Sequence, residues 1–284
     1  MTAVDDAAQV RVRMDAVRAG ARTFGTNFFL GDGAVERACK DQALFFREFP
    51  GALLLLKREA GFDRLFYAAA EPEALAAAVP RFAPAPERPL VADVIGRPAD
   101  AGMWVEPLTA AGLERYESFQ RMQRVVSAAP DQAALKRVRT ISRMLNPKLR
   151  DAPIQIAGET DAAEIVHALN SQFDPLSEHL PEVDEVAQAA ASGAVLTIRD
   201  GGALAALLYY DRSGLTTTCR YWLAMPGYLG LGYAELLMER YFQVCAACRR
   251  FLLWVRQGNR AAIPLYRAYG YTEDSMVDVI LLRR

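Results

Sequence analysis

The stretch MPGYLGLGYAELLMERYF, residues 225–242, decides how the rest of the chain is read. Gly227, Gly230 and Gly232 lead straight into a run with helical spacing. A glycine-rich turn that opens a helix brings backbone N–H groups close to an anion, and the helix dipole favours negative charge there. The turn therefore predicts a phosphate seat, and the question is whose phosphate. A Walker loop needs Gly-Lys-Ser/Thr, because the lysine reaches the terminal phosphates and the hydroxyl holds magnesium. No lysine follows Lys148. A dinucleotide fingerprint needs glycine where Glu235 stands and should open the first strand–helix unit of a parallel sheet. Here the turn comes late in the chain, after a hairpin pattern.

Upstream of the turn, periodicity predicts a strand at 153–157 and a helix from the Glu159-Thr160-Asp161 cap to about 172. A second helix is expected over 182–191, then the hairpin AVLTIR–DGG–ALAALLYYD and the long strand TTTCRYWLAM. Downstream come strand FLLWVR, helix RAAIPLYRAY and strand MVDVILL. In the first half, helical pattern is expected at 7–20, 33–47, 71–79 and 110–127, and again at 131–145. Strands are expected at 51–57, 64–70, 89–95 and 103–108, with a proline-rich loop at 80–89. An internal echo links the halves: Gly51, Ala52, Leu54, Leu56 and Tyr67 fall on Gly193, Ala194, Leu196, Ile198 and Tyr209 at one constant offset. The first half has no glycine turn over 70–88, so one cofactor site is expected, in the second half.

Loop and context together give a resemblance. Leu229-Gly230-Leu231-Gly232-Tyr233-Ala234 resembles the acyl-CoA loop of the GNAT N-acetyltransferases, R/Q-x-x-G-x-G/A. One strand later, Asn259 to Tyr271, with Ala262, Leu265, Tyr266 and Gly270, resembles that family's second signature, N-x-x-A-x-x-L-Y-x-x-x-G-F. The resemblance implies an α/β (α+β) fold with a mixed, mostly antiparallel sheet flanked by helices. It implies two domains, an N-terminal α/β domain over 1–147, read as a degenerate GNAT-like copy, and a catalytic domain over 148–284. It further implies acetyl-CoA, or another short acyl-CoA, as co-substrate and a primary amine as acceptor. Leu223, Ala224 and Met225 would hold the pantetheine arm, with a backbone N–H near Leu223 facing the developing oxyanion. Tyr228 to Ala234 would hold the pyrophosphate, although Leu229 offers it no side-chain donor where the family has Arg or Gln. Tyr266 falls on the family's proton donor to the departing thiolate. Asn259 would either sit near the pantetheine or cap the last helix.

The base is less legible. The loop FDPLSEHLPEVDE, 173–185, lies where the family builds its acceptor pocket, and its Glu178 or His179 could take the amine proton. A solvated loop and helix cap is the plainer reading of the same residues. His167 lies off the apolar stripe of its helix and reads as a surface residue.

Composition limits the alternatives. The 284-residue chain is 52% apolar and 24% charged, and Lys+Arg (33) nearly cancel Asp+Glu (34), so no nucleic-acid footprint is expected. That balance also disfavours a tRNA-using aminoacyl- or peptidoglycan-type transferase. The N-terminus does not read as a signal peptide and GALLLL, 51–56, is too short to cross a bilayer, so a cytoplasmic, non-membrane protein is expected. Cys245 and Cys248 lie on one apolar helical stripe with Leu237 and Tyr241, which reads as packing. With only His167 and His179 to complete a ligand set, no metal is expected. The first half is expected to shape the acceptor pocket or to form a homodimer. A non-catalytic acyl-CoA-binding or regulatory module is the alternative to an enzyme.

Overall fold

The computed structural model describes residues 1–82 and 88–284. Part of the loop expected at 80–89 thus lies outside the described residues. In chain order the elements are β1 (Thr2–Ala3), α1 (Ala7–Ala19), β2 (Gly25–Thr26), α2 (Asp32–Lys40), β3 (Leu44–Phe49), β4 (Ala52–Arg58), β5 (Asp63–Ala69), α3 (Pro72–Ala78), β6 (Leu90–Gly96), α4 (Pro98–Ala110) and β7 (Glu114–Val125). They continue as α5 (Gln132–Leu145), β8 (Ile154–Ile156), α6 (Ala162–Gln172), α7 (Val183–Ala191), β9 (Val195–Asp200), β10 (Ala203–Ser213), β11 (Thr216–Ala224), α8 (Tyr233–Val244), β12 (Arg250–Arg256), α9 (Ala262–Ala268) and β13 (Thr272–Arg283).

These form two compact units. The first is Met1–Phe119 with Ser275–Arg284, and the second is Gln120–Asp274. The limits differ from the single boundary expected at 147–148 because β7 and β13 each contribute residues to both units.

Within the first unit the strand order is β1-β3-β4-β5-β6-β13, and only β5 and β6 run parallel. The order in the second is β8-β9-β10-β11-β12-β7, with β11 and β12 parallel. Two helices precede the second strand of each order, one joins the parallel pair, and one follows it. The units are therefore built on the same plan, mixed and mostly antiparallel. That plan corrects the register of the sequence echo. The echo sets β4–β5 on β9–β10, whereas the parallel pairings match β5 with β11 and β4 with β10. Buried hairpins share composition, so apolar identities alone cannot tell one strand of slippage.

Three sequence expectations fail locally. The apolar run at 103–108, expected as a strand, lies inside α4, where Ala101, Trp104, Val105 and Leu108 share one buried stripe at helical spacing. Conversely, 110–127, expected as a helix, contains β7. Its buried Phe119 and Met122 mimic helical spacing, but on a strand an odd separation places them on opposite faces. The helix expected over 33–47 ends at Lys40, and β3 follows.

The units differ at one place that bears on function. In each, the parallel pair is joined for a few residues and then left unpaired: Asp63–Leu65 with Leu90–Ala92, and Thr216–Cys219 with Arg250–Leu253. In the first unit the edge so released is taken by β2, which pairs Gly25 with Ala69 and Thr26 with Ala68. Asn27 completes the seam, accepting from Tyr67 N at 2.7 Å and donating through Nδ2 to Leu65 O at 3.0 Å. Asn27→Ala would strand both buried groups, each worth about 1–3 kcal/mol, and should lower the denaturation midpoint measurably. Among the described residues, no strand pairs with the corresponding edge of β11 beyond Cys219.

Candidate acyl-CoA site

The released edge of β11 leads directly into the glycine turn. Along β11, Leu223 pairs with Leu207 and Ala224 with Ala206, and Met225 N donates to Ala205 O at 2.9 Å. Antiparallel pairing alternates the backbone direction, so Leu223 N–H shares the parity of Met225 and points at β10. The N–H groups that face the open edge are those of Trp222 and Ala224. A free backbone N–H near Leu223, as expected from the sequence, is thus offered by its neighbours Trp222 and Ala224. The pairing also slips at Tyr209/Tyr210, which leaves Arg220 as an extra residue, a bulge at the mouth of the opening.

A short 3-10 turn, Pro226–Tyr228, follows, closed by Tyr228 N to Met225 O at 2.8 Å. Gly230 and Gly232 then take φ of +75° and +84°, a region that costs a side chain energy. Gly230 has open space where a Cβ would stand. At Gly232 the same position lies 2.6 Å from Leu149 Cδ2 and 2.7 Å from Ser142 Cβ. Gly232 is thus fixed by crowding as well as by φ. It is also the N-cap of α8, and no side chain caps that helix. The first α8 bond back to this turn is Leu236 N to Gly232 O, so the N–H groups of Tyr233 and Ala234 are terminal donors of the helix. Leu229 is 67% exposed and contributes no donor.

Aromatic packing joins β11 to α8 and α9 beside the released edge. Trp222 Nε1 donates to Ala234 O at 2.6 Å, and its ring lies 5.4 Å from that of Tyr266 and 6.2 Å from that of Tyr269. Tyr233 hydroxyl donates to Asp200 Oδ2 at 3.1 Å, and its ring packs 5.9 Å from Tyr228. Asn259 Oδ1 accepts from Ala262 N at 3.0 Å, so the structure uses it as the cap of α9.

On the other face, the loop after α6 is tied to β11. His179 contributes its carbonyl, which accepts from Tyr221 hydroxyl at 2.6 Å and from Arg220 Nη2 at 3.3 Å. Its side chain is exposed, whereas Glu178 is half-buried. Burial raises the Tyr221 and Tyr266 phenols, and the Glu178 carboxylate adds to that shift as a lesser cause. Arg220 Nη1 pairs with Glu185 Oε1 at 2.5 Å, and its Nε lies 3.6 Å from Asp211. Neither the Arg220–Glu185 pair nor the Trp222 bond was read from sequence. Their only trace was the clustering of aromatic and charged residues at the end of β11.

Burial holds the local phenols neutral. It pushes Tyr209 up to about 12 and carries Tyr221, Tyr241 and Tyr266 further above the ordinary value of 10. Because the folded values are raised, the stability linked to these groups is fully present below about pH 10. It is lost as pH rises through the folded values. The denaturant midpoint should accordingly be flat on this account near pH 8 and fall in alkali. A midpoint unchanged to pH 11 would contradict it.

Residues 162–271 match the family model described as Acetyltransferase (GNAT) family, so the second unit carries a GNAT domain. The fold is similar to that of a GCN5-related N-acetyltransferase from Sphaerobacter thermophilus, with a TM-score of 0.57 at 12% identity over 82% of this chain and 76% of that one. It is also similar to an acetyltransferase from the GNAT family from Colwellia psychrerythraea, with a TM-score of 0.56 at 11% identity over 99% and 98% of the two chains. No curated protein matches the chain in sequence. Among the described residues, no group of three or more His, Cys, Asp or Glu is placed to hold a metal, and no helix is long and apolar enough to cross a membrane.

Proposed function

We propose that the chain is an N-acyltransferase that moves an acetyl or other short acyl group from acyl-CoA to a primary amine in a single site, in the second unit. The observation that carries this reading is the unpaired edge of β11 over Arg220–Ala224, beside a glycine turn at a helix N-terminus. Pantetheine would add to that edge as a strand does, through the outward groups of Trp222 and Ala224. The pyrophosphate would meet the turn between Tyr228 and Ala234. In the first unit β2 occupies the matching edge and the β5–α3 joint has no glycine turn. This supports reading that unit as a GNAT-like copy without a nucleotide site.

In this mechanism the neutral amine nitrogen attacks the thioester carbonyl carbon. The tetrahedral oxyanion is met by the outward N–H groups of β11, a kind of contact worth about 2.7–4 kcal/mol at other oxyanion sites. The C–S bond then breaks. Tyr266 stays protonated across the working pH range and donates to the departing thiolate, while the ammonium proton passes to a base. We assign that task to Glu178, a half-buried carboxylate in the loop after α6, rather than to the exposed ring of His179. The product is an amide, with free CoA released.

The test is thiol release from acetyl-CoA across a panel of primary amines. Amine-dependent thiol release supports the enzyme. Saturable CoA binding with no release on any amine would select the non-catalytic module, and absence of CoA binding would sink both readings. The location expected for this enzyme is the cytoplasm.

A further inference from the structure

A site for four phosphate charges should contain cations, yet the segment 225–235 carries no Lys or Arg, and Leu229 stands where a donor was expected. The missing charge has a source in the same unit. Helix α5 lies against the turn. Ser142 and Leu149 make the contact with Gly232, Asn146 Nδ2 donates to Leu231 O at 3.3 Å, and Arg139 Nε pairs with Glu239 Oε1 at 2.7 Å. The other end of α5 is held by Asp131, which caps its first turn and donates its backbone N–H to Ala268 O at 2.8 Å. The helix is therefore a fixed wall of the turn, anchored to both α8 and α9.

Two cations sit beside the contact, Arg143 on α5 and Lys148 in the 3-10 turn Pro147–Asp151 that follows it. Arg143 follows Ser142 and Lys148 precedes Leu149, so each is one residue from an atom that touches Gly232. Both are exposed, and neither has an acidic partner among the described residues. Gly230, on the open side of the turn, leaves room for the anion they would share with the loop.

We infer that Arg143 and Lys148 bind the phosphates of the nucleotide half of acyl-CoA, replacing the donor that Leu229 lacks. This rests on the acyl-CoA reading above. It adds that the phosphate site is completed by a segment N-terminal to the matched residues 162–271. Charged groups on a phosphate are worth more than neutral ones and are weakened by salt.

The test uses the full chain with two probes, acetyl-CoA and S-acetylpantetheine, which lacks every phosphate. The Arg143→Gln/Lys148→Gln double variant should raise Kd for CoA by about 5- to 30-fold. It should also flatten the salt dependence of binding. KM for S-acetylpantetheine and kcat with either donor should stay as in the parent, and Arg143→Lys/Lys148→Arg should restore most of the affinity. A parent-like Kd and salt slope in the double variant would overturn the inference while leaving the acyl-CoA site standing. An equal loss with both donors would also overturn it, since that marks damage to the fold. A parent chain that binds no CoA would overturn both proposals together.

Discussion

Gly232→Ala is expected to lower stability by about 2–5 kcal/mol, because a side chain at positive φ and overpacking each cost energy. At φ +84° the new Cβ would lie 2.6 Å from Leu149 Cδ2 and 2.7 Å from Ser142 Cβ, so α5 would have to lift from the turn. Gly230→Ala supplies the control. It has φ +75° but open space, so only the backbone term of about 1–2 kcal/mol applies. Denaturant midpoints of the two variants measure the difference. Equal losses would mean that the contact with α5 does not constrain the turn. CoA affinity should also fall more in the first variant, since the segment that carries Arg143 and Lys148 moves.

Tyr266→Phe should reduce kcat by about 10²- to 10⁴-fold, the range in which a positioned proton donor acts, with little change in KM for acyl-CoA. The ring is buried beside those of Trp222 and Tyr271, at 5.4 and 5.9 Å, and phenylalanine preserves these contacts. Because burial holds the hydroxyl well above its ordinary range, Tyr266 itself should add no alkaline limb to the activity profile below pH 10. Steady-state rates with one accepted amine check both points. An unaltered kcat would assign the thiolate's proton to another group.

The legible parts of the protein are those where backbone geometry forces a residue type. Gly230 and Gly232 occupy φ values that disfavour side chains, so the turn was visible in the sequence together with the helix it opens. The second signature was visible because Asn259 caps α9 and Tyr266 and Tyr271 pack inward from fixed positions. Contacts set by distant segments were not visible. Nothing in Gly25-Thr26-Asn27 announces a strand that closes a seam, because its partners are Leu65, Tyr67, Ala68 and Ala69. The position of α5 on the turn is equally silent, since the absence of a Cβ at Gly232 is explained twice and the second reason needs the fold. β7 was misread for a related cause. It contributes residues to both units, and its two buried residues, Phe119 and Met122, stand three apart, a spacing that a helix would share.

The central claim is that one edge of two similar units is open to acyl-CoA. Titration calorimetry of the full chain with CoA tests it most directly. One equivalent bound per chain, with affinity reduced in Gly232→Ala, is the predicted result. Two equivalents per chain would show that the edge closed by β2 also accepts the nucleotide, and no saturable heat would show that the turn of 225–235 does not hold it.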